Sequence, residues 1–366
     1  LAGAEKWHRI LRRGSVPENF KEGITMRQKG LSAALATAVI VLEVVFFSPK
    51  AWGQTRASFA QAQELLGFAP AYIARARYFK EMGIEAQFEV LSGDGPVAAS
   101  VTSGSTQFAV GSSAGMLNIA TKGEDVIMIE GMAYQTIDFI FNKEWARKKG
   151  VDKKSPLKAR VEALRGAVIG GTTPGAVSET LSQYLLRWAG LDPAKDAEIV
   201  AMGGIGARLA ALETNRIQAM AVSPPGGQQA EKNGYGIVLI PAADLPGFSR
   251  QIHEVLYARK SWLANNKETA RRVATALARA NNFMLDNFEE SVKLIEPFFK
   301  KLPRDVLEPG LRAVQSQVIR NGTMQAAELV KTVELLHTIG AVKGTLDTKE
   351  GIYWTNEYID LARVKK

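Results

Sequence analysis

The 366-residue chain contains no cysteine. That absence excludes a disulfide framework, a thiolate metal site and a cysteine nucleophile, and it removes the residue that would carry a lipid at a secretory cleavage point. Histidine is nearly as scarce. Only His253 and His337 lie beyond the first fifty residues, each without a second His or Glu at metal-ligand spacing, so neither a metal site nor any other cofactor is expected. No basic block with interleaved aromatics occurs, which argues against nucleic acid as a partner. What the chain does have is 46% hydrophobic and 23% charged residues, enough at this length to bury two cores.

One long apolar run is present. Leu31 to Ser48, broken only by Glu43, follows Met26-Arg27-Gln28-Lys29 and precedes Ala51-Trp52-Gly53. The order of basic start, apolar stretch and small-x-small end predicts a secretory signal peptide cut before Gln54. A membrane anchor is the alternative, which Glu43 weakens. Residues 1–53 are thus read as an upstream segment plus signal, with Met26 a candidate initiator. Their removal lowers the formal charge from +9 to +5, 38 basic against 33 acidic side chains. The remaining charges alternate along helical stretches such as Glu268-Thr-Ala-Arg271-Arg272, a solvated surface pattern. A periplasmic, non-lipidated protein is expected.

The stretch from Gly93 to Ser112 reappears 111 residues later, from Gly204 to Ser223. Gly93/Gly204, Gly95/Gly206, Ala99/Ala210, Gln107/Gln218 and Ser112/Ser223 are identical, and Gly104 pairs with Asn215, both tolerant of a left-handed helix stop. Upstream, each copy has a Pro-containing loop opening a helix, at Pro70 and Pro174, and a glycine stop, Gly83 and Gly190, before an apolar strand candidate, Ala86–Leu91 or Ala197–Met202. Helix, strand, GxG loop, helix, strand and serine-bearing loop, twice over, predict parallel βαβ units and an α/β fold of two lobes. Val177, Leu181, Tyr184, Leu185 and Trp188 fall on one helical face, and helical spacing runs from Lys267 to Leu285 and through Leu329, Val333 and Leu336. Asp138–Asn142 reads as a strand leaving the first lobe and Glu254–Ala258 as one returning. Lobe 1 is then 54–141 with 255–366, lobe 2 is 142–254, and the two crossings form a hinge.

Several segments resemble a known family. They are Gly67-Phe-Ala-Pro70 before a helix ending Tyr78-Phe79-Lys80-Glu81-Met82-Gly83, the Gly104 turn before Phe108-Ala-Val110, Gly175 opening a helix that ends Ala189-Gly190-Leu191-Asp192, and Leu209-Ala-Ala-Leu212. In this order they are similar to the type II periplasmic substrate-binding proteins of ABC importers, in the nitrate/sulfonate/taurine-like branch, which also contains the thiamine-pyrimidine synthases. The resemblance implies two lobes, each a mainly parallel sheet with helices on both faces, joined by two crossover strands. It also implies a monomer that captures a small solute and hands it to an inner-membrane permease with its ATPase. Where the family often has aspartate after the Gly104-type turn, this chain has Gln107 and Gln218. The cysteine and histidine clusters of the synthases are missing.

In such a fold the solute sits beyond the carboxyl ends of the strands. The loops there are 67–72, 111–116, 131–135, 171–176 and 223–227, and they contain no Lys or Arg. Helix starts at Ser112/Ser113 and Thr173/Gly175 would aim backbone N–H groups at an anion or a polar oxygen, and Phe68, Tyr72 and Tyr134 could stack on a planar group. The candidate contacts are Phe68, Pro70, Tyr72, Ser112, Ser113, Tyr134, Thr172, Thr173, Gly175, Gly204 and Ser223, and the expected guest is a small organic anion or planar polar solute. Arg75 and Arg208, in first turns of helices, could reach the cleft or lie on the surface.

Three enzyme-like signals compete. Gly111-Ser112-Ser113-Ala114-Gly115 matches the GxSxG elbow of serine hydrolases, with Ser113 as nucleophile, but no HGGG-like segment precedes it. Gly170–Gly175 has P-loop spacing with Ala176 where the lysine belongs, and Gly204-Ile-Gly206 lacks the last glycine of a dinucleotide fingerprint. A binding protein, not an enzyme, is the resulting expectation, with a GxSxG hydrolase or a sensory module on the same fold as the alternatives.

Overall fold

The computed structural model describes residues 54–91, 93–172, 177–248, 250–338 and 342–365, so the upstream segment and signal peptide expected over 1–53 lie outside it. Ten strands run in chain order: β1 (Thr55–Gln61), β2 (Ile84–Val90), β3 (Phe108–Ser112), β4 (Val126–Tyr134), β5 (Asp138–Asn142), β6 (Val168–Gly171), β7 (Glu198–Ala201), β8 (Ala219–Val222), β9 (Gly236–Ile240) and β10 (Ile252–Arg259). They form two five-stranded sheets, ordered β2-β1-β3-β10-β4 and β7-β6-β8-β5-β9. The orders are equivalent strand for strand. In each sheet the first three strands are parallel, and the fourth is antiparallel to both its neighbours. That antiparallel strand is the one the chain enters on crossing over, β5 on the way out and β10 on the way back. By strand pairing β5 therefore belongs to the second sheet, and the chain changes sheet between Tyr134 and Asp138, earlier than the boundary at 141 read from the sequence. Likewise β10, beginning at Ile252, belongs wholly to the first sheet.

The internal repeat has a physical cause in the strand starts. Gln107 Oε1 accepts a hydrogen bond from Ser58 N at 2.8 Å, and Gln218 Oε1 accepts one from Val168 N at 2.8 Å. Each glutamine also gives its own N–H to the carbonyl of the same residue. One side chain thus satisfies a backbone N–H of β1 in the first lobe and of β6 in the second, where an unmatched N–H would be costly. This explains the glutamine pair without invoking a ligand. The helix stops agree as well: Gly104 (φ 85°) and Asn215 (φ 56°) both take the left-handed conformation after the Asp94–Ser103 and Ile205–Glu213 helices.

The inner strands β3, β5 and β8 are buried along their whole length, whereas the edge strands β2 and β7 expose Glu89 and Glu198. Phe59 of β1 is fully buried and stacks on Phe88 (4.5 Å) and Phe108 (5.1 Å) from the two flanking strands. In the second sheet alternate residues separate two cores: Phe139, Phe141 and Ala219 meet Leu181 and Leu185 of the Val177–Trp188 helix, while Ile140 and Met220 meet Leu209 and Leu212. Burying each large apolar side chain contributes roughly 1.5–3 kcal/mol. Trp188, expected on the buried stripe, is 41% exposed at the helix end. The Lys267–Asp286 helix matches its expected span and lies against the first sheet, and the Ala326–Thr338 helix sends Leu335 into the second lobe's core.

Candidate functional site

The two crossings are bound to each other. Gln135 N donates to Gln251 O (3.0 Å), Gln135 Nε2 donates to Gln251 Oε1 (2.9 Å), and Gln135 Oε1 accepts from Ile137 N (3.0 Å). Both glutamines are completely buried. Three residues on, Asp138 Oδ1 accepts from Ala242 N at 2.8 Å, joining β5 to the segment that leads back. Burial pushes the Asp138 carboxyl up to about 7. The two lobes also meet at Gly310 of the Arg304–Gln315 helix, where a Cβ would lie 2.7 Å from Leu66 Cδ1 and 3.4 Å from Pro225 Cβ.

Most predicted contacts in the first lobe turn inward. Phe68 and Pro70 are buried in its core, and Tyr72, 1% exposed, accepts a hydrogen bond from Gln61 Nε2 (2.7 Å) with its ring against Phe298 and Phe299. Residues 67–72, read from the sequence as a loop, are helical, Leu66–Phe68 leading directly into Ala69–Ile73, and Phe68 and Tyr72 fill the lobe in place of the expected stacking on a guest. Ser112 is the N-cap of the Ser113–Ala120 helix: its Oγ accepts from Gly115 N (3.0 Å) and donates to Asp94 Oδ2 (2.8 Å). Tyr134 is half-buried, donates to Glu328 Oε1 (2.6 Å), accepts from Arg250 (2.7 Å) and carries the Arg250 guanidinium over its ring.

In the second lobe Thr172 and Ser223 are half-buried and Gly204 is exposed at the start of the Ile205–Glu213 helix. Thr172 N donates to Ser178 Oγ at 3.1 Å. Thr173 and Gly175 lie outside the described residues. Arg75 stacks on Phe88 and Phe298, and Arg208, 5% exposed, gives NH1 to Ala221 O at 2.8 Å.

Ser113 has no access to a substrate. It is fully buried, its hydroxyl donates to Ile252 O at 2.6 Å, and it lies 3.3 Å from Thr332 Oγ1. His253 is buried with its side chain drawn to Glu254 (3.6 Å), and burial lowers it to about 4. A fluorophosphonate probe is expected to leave Ser113 unlabelled, as intact-mass spectrometry would report; stoichiometric labelling would revive the hydrolase reading.

The sequence match extends from the loop after β1 to beyond the Lys267–Asp286 helix: residues 63–296 fit the model described as the NMT1-like family. The chain belongs to the NMT1-like family. YtlA of Bacillus subtilis (strain 168) is 22% identical over 300 residues, 80% of this chain and 84% of its own. Among solved structures, the periplasmic aliphatic sulphonate binding protein SsuA from Escherichia coli superposes with a TM-score of 0.65 at 17% identity, over 83% of this chain and 99% of its own. The ligand binding component of an ABC-type import system from Staphylococcus aureus gives 0.65 at 15%, over 86% and 99%. This NMT1-like chain therefore has the two-lobed α/β fold of periplasmic binding proteins.

Several buried or half-buried polar residues of this NMT1-like chain, close to its crossings and strand ends, were not among the candidate contacts read from the sequence. Gln61, Thr136 and the pair Gln135/Gln251 are buried polar residues, Asp94 holds Ser112, and Glu254 is the one acid of strand β10, buried beside His253. A lone acid within a buried strand was the available signal, since such residues are almost never buried without a purpose.

Proposed function

We propose that this protein is the solute-binding component of an ABC importer, working in the periplasm. It captures a small polar solute between its lobes and presents the closed form to a membrane permease. The observation that supports this best is the reciprocal exchange of strands β5 and β10 across two crossings tied by Gln135 and Gln251. Such a pair of short connections lets two rigid lobes rotate about a common line, and a solute touching both supplies the differential affinity that favours closure. Tyr134, Thr172, Gly204 and Ser223, which keep exposed surface, are the contacts we retain, with the backbone N–H groups after Ser112 as donors.

The test is thermal-shift screening against sulfonates, nitrate, aromatic carboxylates, amines and amidines, followed by small-angle scattering. A true solute at a hundredfold its Kd should add about 2.7 kcal/mol of stability and shrink the radius of gyration. A panel with no stabilising solute of any class would count against the reading.

A further inference from the structure

Beside the returning crossing, several polar atoms of the first lobe make no hydrogen bond within the protein. Glu254 carries a side chain only 3% exposed, and the one basic group near it, His253 Nε2, lies at 3.6 Å, beyond hydrogen-bonding distance. Thr136 Oγ1 is buried without a partner, as is Gln61 Oε1, although Gln61 Nε2 is engaged by Tyr72 and Gln63 O. Glu254 and Thr136 converge on one place. A Cβ on Gly67 would lie 2.7 Å from Glu254 Oε1 and 3.3 Å from Thr136 Oγ1, so glycine is what lets the Leu66–Phe68 turn close over the carboxyl. Glu254 stands opposite Ser112 and Ala133 in the first sheet, just after the returning crossing.

Leaving the buried Thr136 hydroxyl unbonded costs free energy that an apolar side chain would avoid, and the nearby Glu254 carboxyl adds the desolvation of an ionisable group. Such groups persist where a ligand completes them. The sign of the site is also set. Asp94 is the other charged group acting on Glu254, the cleft loops bring no Lys or Arg, buried His253 is neutral, and Arg250, which lies over Tyr134, is paired with Glu328. Arg208, on the opposite lobe, is turned to Ala221 O.

We propose that Glu254, with Thr136, recognises a nitrogen-borne N–H donor on the solute, an amidine, amine or amino-substituted heterocycle, so that the guest meets the first lobe through a cationic or strongly donating end. The assignment rests on the cleft being the solute site, and departs from the expected organic anion. Burial, and after it Asp94, raise the Glu254 carboxyl well above its ordinary range. An amidinium, which keeps its own proton, pulls that carboxyl back down on pairing, so that where the carboxyl carries a proton the O–H bond ionises and the proton goes to the buffer.

Titration calorimetry with benzamidine, benzoate and benzenesulfonate at pH 7, in two buffers of different ionisation enthalpy, tests this. Benzamidine is expected to bind at least about tenfold more tightly than either anion, with a buffer-dependent heat that reports net proton release. Glu254→Gln should lose about tenfold in benzamidine affinity and all buffer dependence while melting as a folded protein. Thr136→Val, which alters no charge, should lose about fivefold and keep the proton release. Failure of benzamidine to bind, or unchanged affinity in both variants, overturns the assignment. Tighter binding of either anion overturns it too, yet upholds solute capture; silence of the whole solute panel would remove the capture reading itself.

Discussion

Asp138→Asn is expected to make the protein more stable at pH 8 and to flatten its pH dependence between pH 5 and 8. The parent carboxyl is buried where β5 begins and is pushed up to about 7, whereas in the unfolded chain it titrates near 4. Between those values the folded state holds a proton that the unfolded state has released, so parental stability falls as pH rises through the window. About three pKa units correspond to a penalty of order 4 kcal/mol by pH 8. Asparagine keeps an oxygen to accept from Ala242 N and carries no charge to desolvate. Glu130 and Glu254, also raised by burial, tilt both proteins alike, so the difference between variant and parent isolates Asp138. Urea melts at pH 5, 6.5 and 8 would show the two curves diverging upward in pH; parallel profiles would mean that the site is solvated in its native state.

Gln135→Ala is expected to destabilise the protein by about 3 kcal/mol, since it strands two buried groups, Ile137 N and Gln251 Oε1. The loss should be shared. Gln251→Ala removes the same side-chain contact from the other crossing, so the double variant should cost clearly less than the sum of the singles. Both variants should also broaden the range of lobe angles seen by scattering, because the tie between crossings is what confines the rotation. Additive losses would show that the glutamines act separately and that the hinge is held elsewhere.

Much of this fold could be read from the chain. The repeat placed the equivalent strands β3 and β8, the glycine stops fell where the backbone is left-handed, and Asp138–Asn142 was found to the residue. These features are local, set by periodicity and by conformations that few residues accept. What escaped was tertiary. Nothing in Asp138–Asn142 says whether a strand that leaves one lobe hydrogen-bonds there or in the next, and its place between β8 and β9 depends on sheet pairing far along the chain. Side-chain direction was equally hidden: a serine beginning a helix and an aromatic in a loop look alike whether they face a guest or, as Ser113 and Tyr72 do, the interior.

The strand order also sets a schedule for a chain emerging from the ribosome. Every strand of the second sheet lies between Asp138 and Ile240, so that sheet can finish as soon as its own stretch has been made. The first cannot, because β4 pairs only with β10 among the named strands. From Tyr134 until Arg259 is synthesised, an apolar nine-residue strand waits with no sheet to join. The later-born half of the molecule is thus complete before the earlier one, and the interval is when this protein most needs shielding from its own kind.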